Sequence, residues 1–246
     1  MSAPTVDVPS AALELDRTWV QAVLRTQRRP FVSLKAAVTL DGKIASRHGE
    51  SHWITGEVAR AAGRRLRAGH YAILVGVNTV LADDPQLTVR DPARGKDPVR
   101  VMLDSQCRIP LAARCLAADG TERIVVAGSR APSDRVQALQ SAGIHVLVCP
   151  TDRPSPDDFL PLLRERNIES VLAEGGGQVH ASLIAHHAAD ALFLFVAGKV
   201  MGDAAAPGWC ATLPGGNRLA DAVTLRLEAP LAVGADLLVR GRFTAP

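Results

Sequence analysis

Apolar and polar positions alternate along the chain in a pattern that predicts strands and helices following one another. The run Ala72–Gly76 is apolar on both faces, as buried parallel strands are. Before it, the apolar residues Val58, Ala62 and Leu66 recur at helical spacing. Near the end of the chain, strands succeed one another without long helices between them. We therefore expect an α/β fold, with a mostly parallel central sheet flanked by helices and antiparallel strands at a C-terminal edge.

Caps and turns place the individual elements. Thr55 is expected to cap a helix that runs to Ala68, and Ser155 a helix that starts with Pro156. The other expected helices are Leu13–Leu24, Ser133–Ala142 and Gln178–His186. The expected strands are Phe31–Ala37, Ala72–Gly76, Val99–Leu103, Arg123–Ala127, Ile144–Val148, Ile168–Ala173, Ala191–Val196, Ala222–Leu227 and Leu237–Phe243. Residues 1–28 are interpreted as an N-terminal extension and residues 29–246 as one domain, because no repeat or linker divides them.

Composition narrows the classes of function. Apolar residues make up 47% of the chain and charged residues 22%, which is typical of a folded domain. The net charge of +3 and pI near 8.9 suit an anionic small ligand, but no basic run suggests nucleic acid. The four cysteines lack C-x-x-C spacing, and neither a signal peptide nor a membrane-length apolar run is recognisable. A reduced, cytoplasmic protein that does not cross a membrane is expected.

A glycine-rich turn, Glu174–Gly177, lies between a predicted strand and a predicted helix. Backbone N–H groups in such a turn can approach a phosphate at a helix N-terminus. Purely steric turns have the same composition, and the spacing is not G-x-G-x-x-G, so a Rossmann fingerprint is not supported. Glu174 itself follows the strand at its carboxyl end, where open α/β sheets bind ligands. The alternative is a surface or helix-capping acid.

Two further segments combine polar side chains with strands. Gly76–Arg90 offers a threonine hydroxyl, adjacent carboxylates and an arginine, although a polar turn would explain it equally well. Lys35 lies within an apolar strand, where an unpaired charge is costly.

Trp53 is either a core side chain or a stacking surface for a flat ring. His48–Glu50 matches the H-x-E of zinc deaminases, but no P-C-x-x-C follows, and no metal site is expected.

Five runs of sequence together resemble the reductase domain of the bifunctional deaminase-reductase of riboflavin biosynthesis. They are RPFVSLKAAVTLDGKIA (Arg29–Ala45), SHWITG (Ser51–Gly56), LRAGHYAILVGVNTVLADDPQLTVR (Leu66–Arg90), VRVMLDSQCRIP (Val99–Pro110) and VLAEGGGQVHASLI (Val171–Ile184). The resemblance covers roughly residues 29–243, and V-G-x-x-T-V-L-x-D-D-P-x-L-T-x-R is a highly specific part of it. It implies a dihydrofolate-reductase-like fold. It also implies NADPH-dependent reduction of the ribosyl group of 5-amino-6-(5-phosphoribosylamino)uracil to the ribityl form.

The same resemblance implies roles for individual residues. The positions that match substrate contacts are Ser51, Arg67, Leu87, Arg90 and Glu174, with the arginines suited to the 5′-phosphate. The positions that match the NADPH site are Ala37, Trp53, Thr79, Asp83, Ser105, Gly176, Gly177, Gln178, Val179, His180, Ala181 and Ser182. Lys35 and Glu174 are the candidate catalytic residues, which would handle a proton while hydride arrives at C1′ of the sugar.

The resemblance also implies partners. A homodimer that associates through the late strands is expected. The deaminase half that often precedes this domain is absent from the sequence, so a separate deaminase is expected to act in the same pathway. Two rival interpretations are a pterin or dihydrofolate-like reductase on the same fold and a non-catalytic nucleotide-binding relative. Arg67 and Arg90 favour a phosphorylated substrate over a pterin. The complete set of substrate-matching residues argues against a non-catalytic protein.

Overall fold

The secondary structure comes from a computed structural model that describes residues 8–90, 97–215 and 218–244. The helices are α1 (Arg17–Thr26), α2 (Glu57–Ala68), α3 (Val77–Asp83), α4 (Ser133–Ser141), α5 (Pro156–Glu165) and α6 (Gly177–Ala185). The strands are β1 (Phe31–Thr39), β2 (Ala72–Gly76), β3 (Val99–Leu103), β4 (Arg123–Ala127), β5 (His145–Val148), β6 (Ser170–Ala173), β7 (Ala191–Ala197), β8 (Leu225–Leu227), β9 (Leu231–Val233) and β10 (Asp236–Phe243). None of the helices in these ranges has both the length and the apolar composition that crossing a membrane requires.

The described strands form one ten-stranded sheet in the order β5-β4-β3-β2-β6-β1-β7-β10-β8, with β9 paired to β10. From β5 to β7 every neighbouring pair is parallel. β10 runs antiparallel to β7, β8 and β9. The prediction of a mostly parallel sheet with antiparallel C-terminal edge strands is confirmed.

Two strands at the centre of the sheet create a crevice. β2 and β6 are neighbours, but α3 leads from β2 to β3 on one side, whereas α6 leads from β6 past β1 to β7 on the other. Connections that diverge in this way open a ligand site at the carboxyl ends of the two strands. Glycine is needed there, because a Cβ atom at Gly175 would lie 2.7 Å from both the Gly76 nitrogen and the Val75 Cα.

The starts of two helices differ from the prediction. The first helix begins at Arg17 rather than Leu13, because the Asp16 carboxylate accepts hydrogen bonds from the N–H groups that follow it. The second begins at Glu57, and its cap is Gly56 rather than Thr55. The Gly56 N–H donates to Asp236 Oδ2 across 2.7 Å, a distant partner that no local pattern reveals.

Two short elements were not predicted. α3, Val77–Asp83, is a helix in the segment for which a polar turn had been an equal alternative. β9 has three residues and exists because it pairs with β10. The other boundaries differ from the prediction by a few residues at most, since they follow the apolar pattern directly.

The described part of the N-terminal segment packs on the sheet. Val20, Val23 and Leu24 of α1 are buried in one cluster with Phe31 of β1 and Phe193 of β7. The interface is therefore apolar, and each such side chain contributes about 1.5–3 kcal/mol when it is fully buried. The division between an extension and a domain at residue 29 stays a prediction.

A buried histidine links α2 to β1. His70 Nδ1 lies 2.7 Å from the Leu66 carbonyl oxygen, and Nε2 lies 2.8 Å from Ser33 Oγ. Since a carbonyl oxygen can only accept, Nδ1 carries the proton, and Nε2 of the neutral ring accepts from the hydroxyl. Burial lowers the pKa of His70 to about 4.

Acidification is expected to destabilise the protein through His70. An unfolded histidine titrates near pH 6.5, so as the pH falls from about 6.5 towards about 4 the unfolded chain binds a proton that the folded chain does not. Above that window His70 does not lower the free energy of unfolding. At about pH 5 the free energy of unfolding is lower by about 2 kcal/mol. Urea unfolding of His70→Gln at about pH 7.5 and about pH 5 should show a pH dependence reduced by that amount. His145→Gln, which alters an exposed ring, is the control. An undiminished pH dependence in His70→Gln would contradict the assignment.

Candidate active site

Three charged side chains meet where β1, α2 and the end of β6 come together. Arg67, in the last turn of α2, donates to Glu174 Oε1 from Nε and to Oε2 from Nη2, each across 2.8 Å. Lys35 Nζ lies 3.9 Å from the same Oε2 atom. The side chains are only 20% exposed for Lys35, 15% for Arg67 and 7% for Glu174. The carboxylate is thus held by a bidentate pair on one side and an ammonium group on the other.

The local structure explains why a lysine fits inside this strand. Lys35 and Ala37 are the two half-buried positions of β1, and they point to the same face of the sheet. Lys35 passes over α2 at Gly63, where a Cβ atom would lie 3.3 Å from Lys35 Cε. Gly63 and Arg67 are four residues apart and share one face of the helix. The glycine makes room for the lysine stem, and the arginine supplies the partner of Glu174.

The charges set the protonation states of the group. Burial by itself would raise the pKa of Glu174, but the positive charges of Arg67 and Lys35 lower it to about 2. Burial lowers the pKa of Lys35 below its ordinary value, the Glu174 carboxylate opposes that effect, and Arg67 adds to it. At neutral pH the group therefore contains one carboxylate that can only accept hydrogen bonds and one ammonium with an increased tendency to release a proton.

Arg67 makes hydrogen bonds within the protein that the sequence did not indicate. Besides its two bonds to Glu174, its Nη1 donates to the Thr88 carbonyl oxygen across 2.8 Å. The guanidinium of Arg67 therefore joins β6 to the segment that follows α3. A phosphate would have to compete with these contacts for the same guanidinium.

The segment after α3 has an unusual backbone. Asp84, Leu87 and Arg90 have positive φ angles of 39°, 54° and 60°. A left-handed conformation at a non-glycine residue costs on the order of 1 kcal/mol, and such strain clusters at functional sites. Leu87 is buried in the core, so the predicted substrate contact at that position can involve its backbone but not an exposed side chain. Arg90 at the end of the segment is exposed.

Arg90 belongs to a group of positive charges. Burial lowers the pKa of Arg90, and the charges of three nearby arginines lower it further: Arg67, Arg64 and Arg114. The Arg114 backbone N–H donates to Asp84 Oδ1 across 2.8 Å, which holds that residue beside the strained segment. We call Arg64, Arg90 and Arg114 the arginine cluster. Within the described ranges, none of their three side chains has a carboxylate partner.

Sequence reasoning missed two members of this cluster. Arg64 precedes Arg67 by three residues on α2, so helical spacing could have indicated that they lie on neighbouring positions. Arg114 lies in a separate short turn, and no local signal connects it with Arg90. The contact with Asp84 brings it there.

The predicted cofactor residues fall on both sides of the crevice. Thr79 Oγ1 lies 3.8 Å from the position of a Cβ atom at Gly176, so α3 and the glycine turn face each other. Ser51, predicted to bind substrate, donates to Asp83 Oδ1 across 3.1 Å. Ser105 lies just beyond the carboxyl end of β3, where its carbonyl oxygen accepts from the Gly128 N–H. Thr79 and Ser105 therefore follow the carboxyl ends of β2 and β3, and Ala37 lies near the carboxyl end of β1.

Trp53 has an exposed aromatic ring. Its side chain is 61% exposed, which excludes the alternative of a core tryptophan. The Arg60 guanidinium lies 4.3 Å from the ring centroid on one side, and Lys199 donates to the Trp53 carbonyl oxygen across 2.8 Å. The ring is thus held from one side and offers area for stacking.

Residues differ in burial along Gly176–Ser182, the stretch predicted to bind the cofactor. The N–H groups of Gly176, Gly177 and Gln178 donate to no residue in the described parts of the chain. His180, by contrast, is buried, with Nδ1 2.8 Å from the Trp209 carbonyl oxygen and Nε2 3.1 Å from that of Ala173. Ala181 is also buried, and Val179 and Ser182 are half-buried. The start of the stretch is therefore open to a ligand, whereas its later residues pack inside.

A loop closes one side of the glycine turn. Ala211 N–H donates to the Gly177 carbonyl oxygen across 2.9 Å. A Cβ atom at Gly177 would lie 2.5 Å from the Gly208 carbonyl oxygen. The sequence contained no signal for this loop, because it reaches the site only through tertiary contacts.

Comparison with known proteins gives consistent similarities. The RibD C-terminal domain family matches residues 30–239. The riboflavin biosynthesis protein RibD of Actinobacillus pleuropneumoniae is 37% identical over 86% of this chain and 56% of its own length. The 2,5-diamino-6-ribosylamino-4(3H)-pyrimidinone 5′-phosphate reductase of Methanothermobacter thermautotrophicus is 38% identical over 86% of this chain and 97% of its own length. The chain thus spans about half the length of the RibD relatives and nearly all of the reductase.

Solved structures show the same fold. A diaminohydroxyphosphoribosylaminopyrimidine deaminase/5-amino-6-(5-phosphoribosylamino)uracil reductase from Thermotoga maritima superposes with a TM-score of 0.76 at 31% identity. The match covers 92% of this chain and 60% of that one. Acinetobacter baumannii RibD superposes with a TM-score of 0.79 at 28% identity, over 93% of this chain and 62% of that one.

Proposed function

Because the chain belongs to the RibD C-terminal domain family, we propose that it is an NADPH-dependent reductase of riboflavin biosynthesis. Its substrate is 5-amino-6-(5-phosphoribosylamino)uracil, whose ribosyl group is reduced to ribityl. The observation that carries the proposal is the buried group of Lys35, Glu174 and Arg67 beside the crevice of a parallel sheet. A proton donor and a fixed carboxylate beside the crevice support the proposal that the sugar is reduced there.

The glycine turn fits a nicotinamide dinucleotide. Among the described residues, the N–H groups of Gly176, Gly177 and Gln178 donate to no other residue, so they can bind the pyrophosphate at the start of α6. When bound, the reduced nicotinamide supplies a hydride to C1′ of the opened sugar. The exposed ring of Trp53 and Thr79 beside the glycine turn are suited to hold the dinucleotide in place.

The chain's own residues supply the proton and the orientation. Lys35 donates its proton to the sugar nitrogen that gains one during reduction, because its pKa is lowered while Glu174 keeps it charged. Glu174 accepts hydrogen bonds from sugar hydroxyl groups and cannot act as the acid, since its pKa is about 2. Arg67 positions Glu174. Reaction requires the sugar and the hydride donor to be aligned at roughly 3–3.5 Å.

The arginine cluster is proposed to bind the 5′-phosphate. Its three guanidinium groups lack carboxylate partners within the described ranges, so an anion from the substrate is their natural counter-charge. In this proposal Arg67 mainly binds and positions Glu174, and it does not bind the phosphate. This charge favours a phosphorylated substrate over an unphosphorylated pterin.

Removing Arg90 is expected to raise KM for the phosphorylated substrate by about tenfold to a hundredfold, with a smaller change in kcat, because a charge-assisted contact far from the reacting carbon is lost. Arg64→Ala and Arg114→Ala should act in the same direction. Arg25→Ala, which alters an exposed arginine of α1, should leave KM unchanged. The kinetics are followed by loss of reduced nicotinamide absorbance. If KM stays constant in all three cluster variants, the phosphate lies elsewhere.

A second candidate substrate is the undeaminated pyrimidine. The Methanothermobacter thermautotrophicus relative, which the chain matches over 97% of its length, is named a reductase of 2,5-diamino-6-ribosylamino-4(3H)-pyrimidinone 5′-phosphate. The deciding experiment measures NADPH oxidation with the deaminated compound, the undeaminated compound and a dihydropterin side by side. Faster turnover of the undeaminated compound would reverse the order of reduction and deamination. Turnover of the pterin alone, or of none of the three, would contradict the proposed function.

We further propose a cytoplasmic homodimer that works with a separate deaminase. Leu227 and Leu237 on the late strands are 60% and 45% exposed, which supports association through that edge. Cys107, Cys115 and Cys149 are buried free thiols, in keeping with a reducing compartment. Analytical ultracentrifugation of the purified chain tests the dimer.

A further inference from the structure

A peptide group next to the arginine cluster is held at both ends by charged side chains. Arg67 Nη1 donates to the Thr88 carbonyl oxygen across 2.8 Å. The Val89 N–H donates to Asp97 Oδ1 across 2.7 Å. The carbonyl and the N–H belong to the same planar peptide unit, so a rotation of that plane breaks both hydrogen bonds. Because both partners are ionised, these bonds are stronger than those between neutral groups, and they fix the orientation of the peptide.

This peptide group leads directly into Arg90. Arg90 follows Val89 and has a left-handed φ angle of 60°. The Val89 side chain is 2% exposed, so it packs in the core and prevents the chain from sliding. A left-handed conformation is unfavourable for arginine and persists only where surrounding contacts hold it. The two hydrogen bonds on the peptide before Val89 supply such contacts where the chain enters Arg90.

A buried arginine fixes the position of Asp97 in turn. Arg100 Nη2 lies 3.8 Å from Asp97 Oδ2 and also donates to Asp119 Oδ2. The Arg100 side chain is 0% exposed, and a fully buried charge requires fixed partners because an unpaired one is costly. Its Nη1 donates to the Cys115 carbonyl oxygen across 3.3 Å, and Cys115 follows Arg114 of the arginine cluster. Arg100 thus joins the turn that carries Arg114 to the carboxylate that holds the peptide group.

We infer that Asp97 is a positioning residue for the 5′-phosphate of the substrate: it holds the Val89 N–H so that Arg90 faces the anion. The inference rests on the proposed function, because it takes the arginine cluster as the phosphate site. A carboxylate close to this site would repel a phosphate, but the hydrogen bond from Val89 and the ion pair with Arg100 offset its charge. The alternative is that Asp97 stabilises the fold without acting on the phosphate.

Kinetics with and without the phosphate group distinguish these roles. Asp97→Ala removes the acceptor of the Val89 N–H. It should raise KM for the phosphorylated substrate by about tenfold and change kcat by less than about twofold. The same compound without its 5′-phosphate makes no contact with the arginine cluster, so its kcat/KM should be equal in the two proteins. The Ki of ribose 5-phosphate, used as a competitive inhibitor, should rise by the same factor as KM.

Two variants serve as controls. Asp97→Asn keeps a carbonyl oxygen for the Val89 N–H, so KM should stay within about threefold of that of the unaltered protein. Asp16→Ala removes a carboxylate from two backbone N–H groups at the start of α1, and it should leave KM unchanged.

Binding of NADPH, measured by calorimetry, shows whether Asp97→Ala is folded. Its Kd should not change, because Asp97 precedes the start of β3 whereas the glycine turn follows the carboxyl end of β6. Should Asp97→Ala fail to fold, Asp97→Glu replaces it. Glutamate keeps the charge but moves the acceptor by one methylene, and the same rise in KM is expected.

Three results would overturn the inference: a constant KM in Asp97→Ala, an equal loss of kcat/KM with and without the phosphate, or an Asp97→Asn enzyme as impaired as Asp97→Ala. If Arg90→Ala raises KM and Asp97→Ala does not, the proposed function survives and only the inference falls. If the unaltered protein does not reduce the phosphorylated substrate at all, the proposed function falls together with the inference.

Discussion

Replacing Lys35 with methionine is expected to reduce kcat by about a hundredfold to ten-thousandfold, which is the usual contribution of a positioned proton donor. Methionine keeps the apolar stem that lies over Gly63 but has no proton to give. Glu174 remains paired with Arg67, so the fold and the Kd for NADPH should change little. Steady-state kinetics at saturating substrate and calorimetric binding of NADPH provide the measurements.

The variant Lys35→Arg separates proton donation from charge. Arginine keeps a positive charge beside Glu174 but does not release its proton in proteins, so it should not restore kcat. In the unaltered enzyme the protonated lysine is the active form, and its pKa is lowered. The rate should therefore fall as the pH rises through that pKa. A Lys35→Met enzyme that keeps most of its kcat, or a Lys35→Arg enzyme with full activity, would show that another group supplies the proton.

Removing Arg67 is expected to have the largest effect on stability. Arg67→Met leaves the nearly buried Glu174 with only Lys35 at 3.9 Å, and breaking a buried pair in this way costs about 3–5 kcal/mol in the free energy of unfolding. The pKa of Glu174 should rise towards its ordinary value, because Arg67 is the main charge that lowers it. In the unaltered protein this carboxylate contributes stability above about pH 4.5 and loses it as the pH falls towards about 2.

A double-mutant cycle measures the interaction free energy between Arg67 and Glu174. Arg67→Met combined with Glu174→Gln removes both charges and should recover much of the loss caused by Arg67→Met alone. Arg130→Met breaks the exposed pair with Asp152 and should cost less than about 1 kcal/mol. Urea unfolding of these proteins supplies the free energies. If Arg67→Met is no more destabilising than Arg130→Met, Arg67 is not the anchor of Glu174, and its guanidinium is available for phosphate after all.

The resemblance implies that Arg67 binds the phosphate, but in this chain Arg67 anchors Glu174. Sequence motifs place Arg67 and Arg90 together as phosphate ligands. The structure places Arg67 on Glu174 and Thr88, and leaves Arg64, Arg90 and Arg114 without carboxylate partners in the described ranges. Kinetic effects should follow this division: the cluster variants affect KM, whereas Arg67 variants affect stability and kcat together.

The sequence by itself determined the order of the elements, and it singled out Lys35, Glu174 and the glycine turn as candidates for the site. β2, β3 and β4 have the predicted limits, because a short apolar run bounded by polar residues has few alternatives to a buried strand. Glu174 and the glycine turn were placed correctly at the end of a strand for the same reason. Lys35 was recognisable because a charge inside an apolar strand requires a partner.

Only the tertiary structure decided which partners these residues have. Arg67 and Glu174 are 107 residues apart in sequence, and neither the bidentate pair nor the resulting protonation states can be derived from local spacing. Arg114 reaches the arginine cluster through a contact with Asp84, and the loop of residues 207–211 reaches Gly177 through backbone contacts. Local patterns report which face of an element is buried, but they contain no information on which distant segment covers it. Charge pairing, burial and the directions left open to a ligand depend on that packing, and they decide the chemistry of the site.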